Sequence, residues 1–201
     1  HVRPGTGVQR SYLHERPCAM MVPDFSRFPE LRTERLLLRD HRPEDADVLY
    51  QIRSDERTMA YIGRPRATTR LDAEELIARM KRERSANESL SWVIADATTE
   101  RMLGSIGLYR LKPEHDTAEV GYQLHPDHWG KGFMTEALEA VTRHTLGPLG
   151  FHRIEAITDP RNTRSRRLLE GCGYLLEGIT RESYVWEGIR TDSAIYSRLA
   201  H

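Results

Sequence analysis

Residues 118–141 set a two-residue alternation directly against a helical stripe, with two glycines at the join. Val120, Tyr122 and Leu124 share one face, and Glu119, Gly121 and Gln123 share the other. That is the pattern of a strand over 118–124. Met134, Ala137, Leu138 and Val141 then recur at helical spacing. Between them runs His125-Pro126-Asp127-His128-Trp129-Gly130-Lys131-Gly132. Gly130 and Gly132 suit a backbone that turns sharply or approaches a ligand closely. The amides after them belong to a first helical turn and lack intrahelical partners. Such amides, at the positive end of a helix, form an anion site, typically for phosphate. Lys131 adds a cation in a chain with three lysines against 27 arginines.

The rest of the chain must supply a sheet for that strand. Arg35–Arg39 is a short apolar run of strand type. Pro43 opens a helix with Glu44, Asp45 and Asp47 in an acidic first turn. A second helix starts near Thr69, where Thr69 and Asp72 have capping-box spacing. Strand-like runs follow at 91–95 and 102–111, separated from each other and from 118–124 by loops of hairpin size. The helix after the glycine loop stops at Gly147-Pro148. A strand at 153–158 then lies parallel after a helical crossover. A helix at 162–170 and strands at 174–185 and 191–199 complete the order. The expected class is mixed α/β: a mostly antiparallel, splayed sheet of six or seven strands flanked by about four helices. A cleft is expected where strands 118–124 and 153–158 diverge.

Composition narrows the function. With 201 residues the chain makes one domain. Residues 1–20 read as a vector-derived or upstream extension, and 21–201 as the domain, with Met20-Met21 as the natural start. Thirty basic residues balance thirty acidic ones, which argues against a generic nucleic-acid binder. No apolar run approaches a membrane span. Two cysteines, Cys18 and Cys172, give no disulfide framework and suit the cytoplasm.

Four blocks of sequence together resemble the GNAT superfamily of acyl-CoA N-acyltransferases, in its RimJ/RimL branch of ribosomal-protein N-terminal acetyltransferases. They are Val120–Pro126; Trp129–Ala137; Asn162-Thr163-Arg164-Ser165 with Leu168–Tyr174; and Glu177-Gly178 with Tyr184, Gly188, Asp192 and Tyr196. Leu31–Arg39 also fits, so the likeness spans roughly residues 30–199. The pattern departs at three places. Trp129 stands where the family has Gln or Arg, Met134 where it has Gly or Ala, and Leu169 where many relatives place an acidic Tyr.

The resemblance implies acetyl-CoA as donor and direct transfer to an amine. Backbone groups of Tyr122, Gln123 and Leu124 would pair with the pantetheine. Trp129, Gly130, Lys131, Gly132, Phe133, Met134 and Thr135 would hold the pyrophosphate, with Asn162 and Ser165 nearby. With Tyr replaced at 169, Ser165 is the expected proton donor to the leaving thiolate. Glu119 is the first choice of base, directly or through water, with Glu182 and Tyr184 as rivals. The expected acceptor is a peptide N-terminal amine. A small amine (polyamine, amino sugar or amino acid derivative) and a non-catalytic acetyl-CoA-binding module stay open, as does a homodimer. No membrane or nucleic-acid partner is expected.

Plainer roles stand beside these. Glu119 is also what a solvated strand carboxylate paired with an arginine looks like. Ser165 could be an exposed helix hydroxyl, and Asn162 a helix cap. Arg161, Arg164, Arg166 and Arg167 either reach phosphates or form a solvated face. His125 and His128 have no third ligand in reach, so no metal is expected. Cys172, Trp92 and Trp186 read as packing.

Overall fold

The computed structural model describes residues 23–200, so the extension expected over 1–20 lies outside the described residues. Eight strands form one sheet: β1 (Leu31–Arg32), β2 (Leu36–Arg39), β3 (Leu90–Asp96), β4 (Met102–Lys112), β5 (Thr117–Leu124), β6 (Arg153–Thr158), β7 (Leu175–Trp186) and β8 (Ile189–Leu199). Their order is β1-β2-β3-β4-β5-β6-β8-β7. Every neighbouring pair is antiparallel except β5 and β6. The fold is the mixed, mostly antiparallel one expected, with one more strand. The addition is β1, which pairs with Leu37 and Leu38 and is too short for alternation to reveal.

The helices are α1 (Ala46–Ser54), α2 (Glu56–Met59), α3 (Arg70–Ser85), α4 (Phe133–Leu146) and α5 (Thr163–Gly171). Pro43–Asp45 is a tight 3-10 turn leading into α1. The capping box expected at α3 is present: the Thr69 hydroxyl accepts from the Asp72 amide and the Asp72 carboxylate accepts from the Thr69 amide. The short α2 starts where Asp55 accepts from the Thr58 amide at 3.0 Å, a cap that four residues of sequence did not advertise.

Strand alternation sorts the core onto two faces. Leu36, Leu38, Trp92 and Ile94 pack with Leu138 and Val141 of α4 and Leu169 of α5. Leu37, Val93 and Ala95 point the other way, against Leu49 and Ile52 of α1 and Ile77 of α3. At 25 cal/mol per Å² of buried apolar surface, each fully buried large side chain contributes about 1.5–3 kcal/mol.

One irregularity positions the site. β5 and β6 pair only at Thr117–Glu119 with Arg153–Glu155. Beyond that point β6 stays with β8, out to Thr158 beside Ala194. The remainder of β5, Val120–Leu124, stays paired to β4 and is open on its other edge. Crossover helix α4 forces the parallel pairing, and the start of α5 lines the gap. Among the described residues no helix is long and apolar enough to cross a membrane.

Candidate active site

The gap between β5 and β6 opens into a cavity of about 1040 Å³. Its wall includes Glu119–Leu124 of β5, Ala156–Thr158 of β6, the glycine loop, the start of α5, and parts of α1 and α3. At one end lies the loop. Gly130 and Gly132 have φ of +72° and +78°, a region that only glycine enters freely. Gly132 caps α4 without a side chain, and the amides of Gly130 through Thr135 have no hydrogen-bond partner among the described residues. Unpaired amides at a helix start have the chemistry to bind an anion.

Neighbours hold the loop in that shape. Arg35 donates to the Lys131 carbonyl at 2.9 Å and to Glu136 at 2.7 Å, and its guanidinium lies 4.7 Å over Phe133. The Trp129 indole donates to the Leu124 carbonyl at 2.8 Å, tying the loop to the end of β5. On the Trp129 ring sits Arg164 of α5, 4.1 Å from the ring centre. Arg164 is therefore placed beside the free amides. Arg161 pairs instead with Asp159, and Arg166 with the Tyr196 hydroxyl and the Pro160 carbonyl, while Arg167 is exposed. Lys131 is exposed and its side chain does not line the cavity. Phe133 and Met134 do both jobs, lining the cavity and packing against the core. Thr135 also lines it.

Midway along the open edge, the Tyr122 hydroxyl and Ser165 Oγ are 2.8 Å apart. Burial pushes the Tyr122 hydroxyl's pKa well above the usual phenol range, and the Ser165 bond only partly opposes this. The pair therefore stays protonated at neutral pH. Asn162 caps α5 by accepting from the Ser165 amide at 3.1 Å, which fixes Ser165 on the cavity side. Leu169 is fully buried in the core. Sequence reading placed Tyr122 on the cofactor's path but did not connect it to Ser165, 43 residues on.

Glu119 lines the far end of the cavity, and both its oxygens accept from Arg110, at 2.6 and 2.9 Å. Arg110 reaches it because the β4–β5 register shifts there and Arg110 takes a φ of +45°. Of the rival bases, Tyr184 donates to the Gly63 carbonyl and Glu182 gives its amide to Asp192; neither lines the cavity. Cys172 is buried, and burial pushes its thiol up to about 11, so it is no nucleophile.

This arrangement meets its relatives on independent grounds. Residues 35–175 match the family model described as acetyltransferase (GNAT) domain. The chain belongs to the GNAT acetyltransferase family. An uncharacterized N-acetyltransferase of Bacillus subtilis, YoaA, is 31% identical to this GNAT protein over 170 residues, 85% of this chain and 96% of YoaA. The ribosomal-protein-serine acetyltransferase of Escherichia coli is 27% identical over 100 residues, 50% of this chain and 56% of that protein. The crystal structure of a GNAT acetyltransferase from Bacillus anthracis superposes with a TM-score of 0.77 at 25% identity, covering 86% of this chain and 99% of the other. In this GNAT acetyltransferase the glycine loop, the open strand edge and the Tyr122–Ser165 pair line one cavity.

Proposed function

We propose that this chain transfers acetyl from acetyl-CoA directly to a primary amine, and that a peptide N-terminal amine is the acceptor. One observation carries the donor reading: free loop amides, an unpaired strand edge and a protonated hydroxyl pair follow one another along a single cavity. The volume lies at the upper end of the ~300–1,000 Å³ typical of ligand pockets, as a large donor requires. Acetyl-CoA would supply a thioester already activated toward a neutral amine. The amides of Gly130–Thr135 and Arg164 fit its phosphates, with Trp129 and Arg35 keeping the loop in shape. The open edge of Tyr122–Leu124 fits an extended, amide-bearing chain, as an added strand would. The Leu124 carbonyl is engaged by Trp129, so the free groups are those before it.

Ser165, bonded to Tyr122, returns a proton to the departing thiolate. Glu119 accepts the amine proton through water, on the lone pairs that Arg110 leaves open. For the acceptor, the E. coli ribosomal-protein-serine acetyltransferase supports a protein. Arginines outnumber carboxylates in the lining, which weighs against a polycation. Titration calorimetry should show acetyl-CoA binding, and free-thiol release should follow addition of N-terminal peptides. An absence of acetyl-CoA binding at millimolar concentration would end this reading.

A further inference from the structure

Positive charge outweighs negative in the cavity lining. Arg53 of α1, Arg64 after α2, Arg79 of α3 and Arg110 of β4 line the cavity together with Glu83 and Glu119. Arg110 is paired with Glu119, and Arg79 sits 3.5 Å from Glu83. The side chains of Arg53 and Arg64 have no hydrogen-bond or ion-pair partner among the described residues. Arg53 is half-buried, and burial, then the charges of Arg64 and Arg79, disfavour its ionised form. Both line the cavity without a side-chain partner among the described residues, Arg53 half-buried and Arg64 exposed, so an anion there would offset the burial of Arg53.

The floor beneath them is built to bring a further donor in. Gly107 and Gly121 face each other across β4 and β5, and the Tyr109 ring lies over both. A methyl group at Gly107 would lie 2.6 Å from the Tyr109 oxygen, so the bare backbone is what lets the ring lie down. Burial raises the Tyr109 hydroxyl's pKa, opposed by the neighbouring Ser91 and, more weakly, by the charges of Arg53 and Arg64. Register puts Tyr109 directly opposite Glu119, at the point where β5 and β6 part. The cluster is thus on the acceptor side of the Tyr122–Ser165 pair, while the loop amides and Arg164 are on the donor side.

We propose that the acceptor amine also carries an anionic oxyacid group, carboxylate or phosphate, and that Arg53 and Arg64, with the Tyr109 hydroxyl and Arg79 beside them, hold it. This rests on the reading of the chain as an acetyl-CoA-dependent N-acetyltransferase. The planar guanidinium matches either oxyacid with two parallel hydrogen bonds. The same positive field favours the neutral form of a nearby amine, the form that attacks a thioester. A site of this kind needs little from a base, in keeping with a Glu119 already engaged by Arg110.

The test is calorimetry on the full chain with coenzyme A present, so that the donor phosphate sites are filled. One arm compares O-phosphoethanolamine with ethanolamine. A second compares a peptide bearing glutamate near its free N-terminus with the glutamine version. In at least one arm the anionic member should bind about ten-fold or more tightly. That arm names the acid. Arg53→Gln with Arg64→Gln should abolish the preference. Arg64→Gln alone, at an exposed loop position, should reduce it if the pair of changes fails to fold. The proposal is overturned by equal binding in both arms, or by a preference that survives Arg64→Gln undiminished. It is also overturned if the arginine changes weaken coenzyme A binding and leave the acceptor unaffected. Acetyl-CoA binding, measured alongside, separates failure of this proposal from failure of the acetyltransferase reading.

Discussion

A hydroxyl pair makes a better proton store than a lone serine. Tyr122 is buried enough to keep its proton, and its hydroxyl bonds Ser165, the proposed donor, at 2.8 Å. If the two act as a unit, Tyr122→Phe and Ser165→Ala should each lower kcat by about 10²-fold, the lower range for general acid catalysis. Acetyl-CoA affinity should change little, and the double variant should be no slower than either single one. Stopped-flow thiol release with matched binding titrations reads all three. An unaltered kcat in Tyr122→Phe would leave Ser165 acting alone. Ser165 was legible because Asn162-x-x-Ser165 is a local motif. Its partner was not, because alternation assigned Tyr122 to an apolar face. The acceptor arginines were still less visible. Arg53, Arg64 and Arg79 sit on separate elements, and each by itself looks like an ordinary solvated charge.

At the scale of elements, the glycine loop and β5 form one unit. Trp129 takes the Leu124 carbonyl, Arg35 takes the Lys131 carbonyl, and the amides are left facing the cavity. Gly132→Ala would force a φ of +78° on a residue with a Cβ, and that Cβ would crowd Arg35 at 3.3 Å. Such strain is worth about 1–3 kcal/mol. We expect KM for acetyl-CoA to rise about ten-fold, with kcat at saturation nearly unchanged. Lys131→Ala should do far less, since its side chain lies off the cavity wall. Initial-rate kinetics on the two variants decide between backbone and side-chain recognition of the phosphates; equal effects would refute the backbone view. The loop, the strand before it and the helix after it were readable because each has its own period. What periodicity could not supply was β1, too short to alternate, and α2, set by a single Asp55 cap.

Over the whole molecule, the polar seam at the start of α1 sets a limit on acid tolerance. Arg39 and Asp45 are 2% and 3% exposed and joined by two hydrogen bonds of 2.8 Å. His41 lies beside them, and burial holds its imidazole neutral down to about 4. An unfolded histidine takes a proton near ~6.5, so between there and pH 4 the unfolded chain binds a proton that the folded one does not. Stability should therefore fall as pH drops through that window, by up to about 3 kcal/mol, and level off below it for this group. Denaturant unfolding at pH 7 and pH 4.5 measures the loss, and His41→Gln should shrink it. A variant that loses as much as the parent would assign the acid sensitivity elsewhere.

The Trp129 tie also bears on how such a protein can change over time. A donor gripped through main-chain amides, as proposed, lets the exposed side chain of Lys131 drift with little loss, while Gly130 and Gly132 stay fixed by their positive φ. The proposed acceptor end is lined instead by side chains on α1, α3 and the segment after α2. A handful of substitutions there can redirect the enzyme to a new nucleophile while its fuel stays the same.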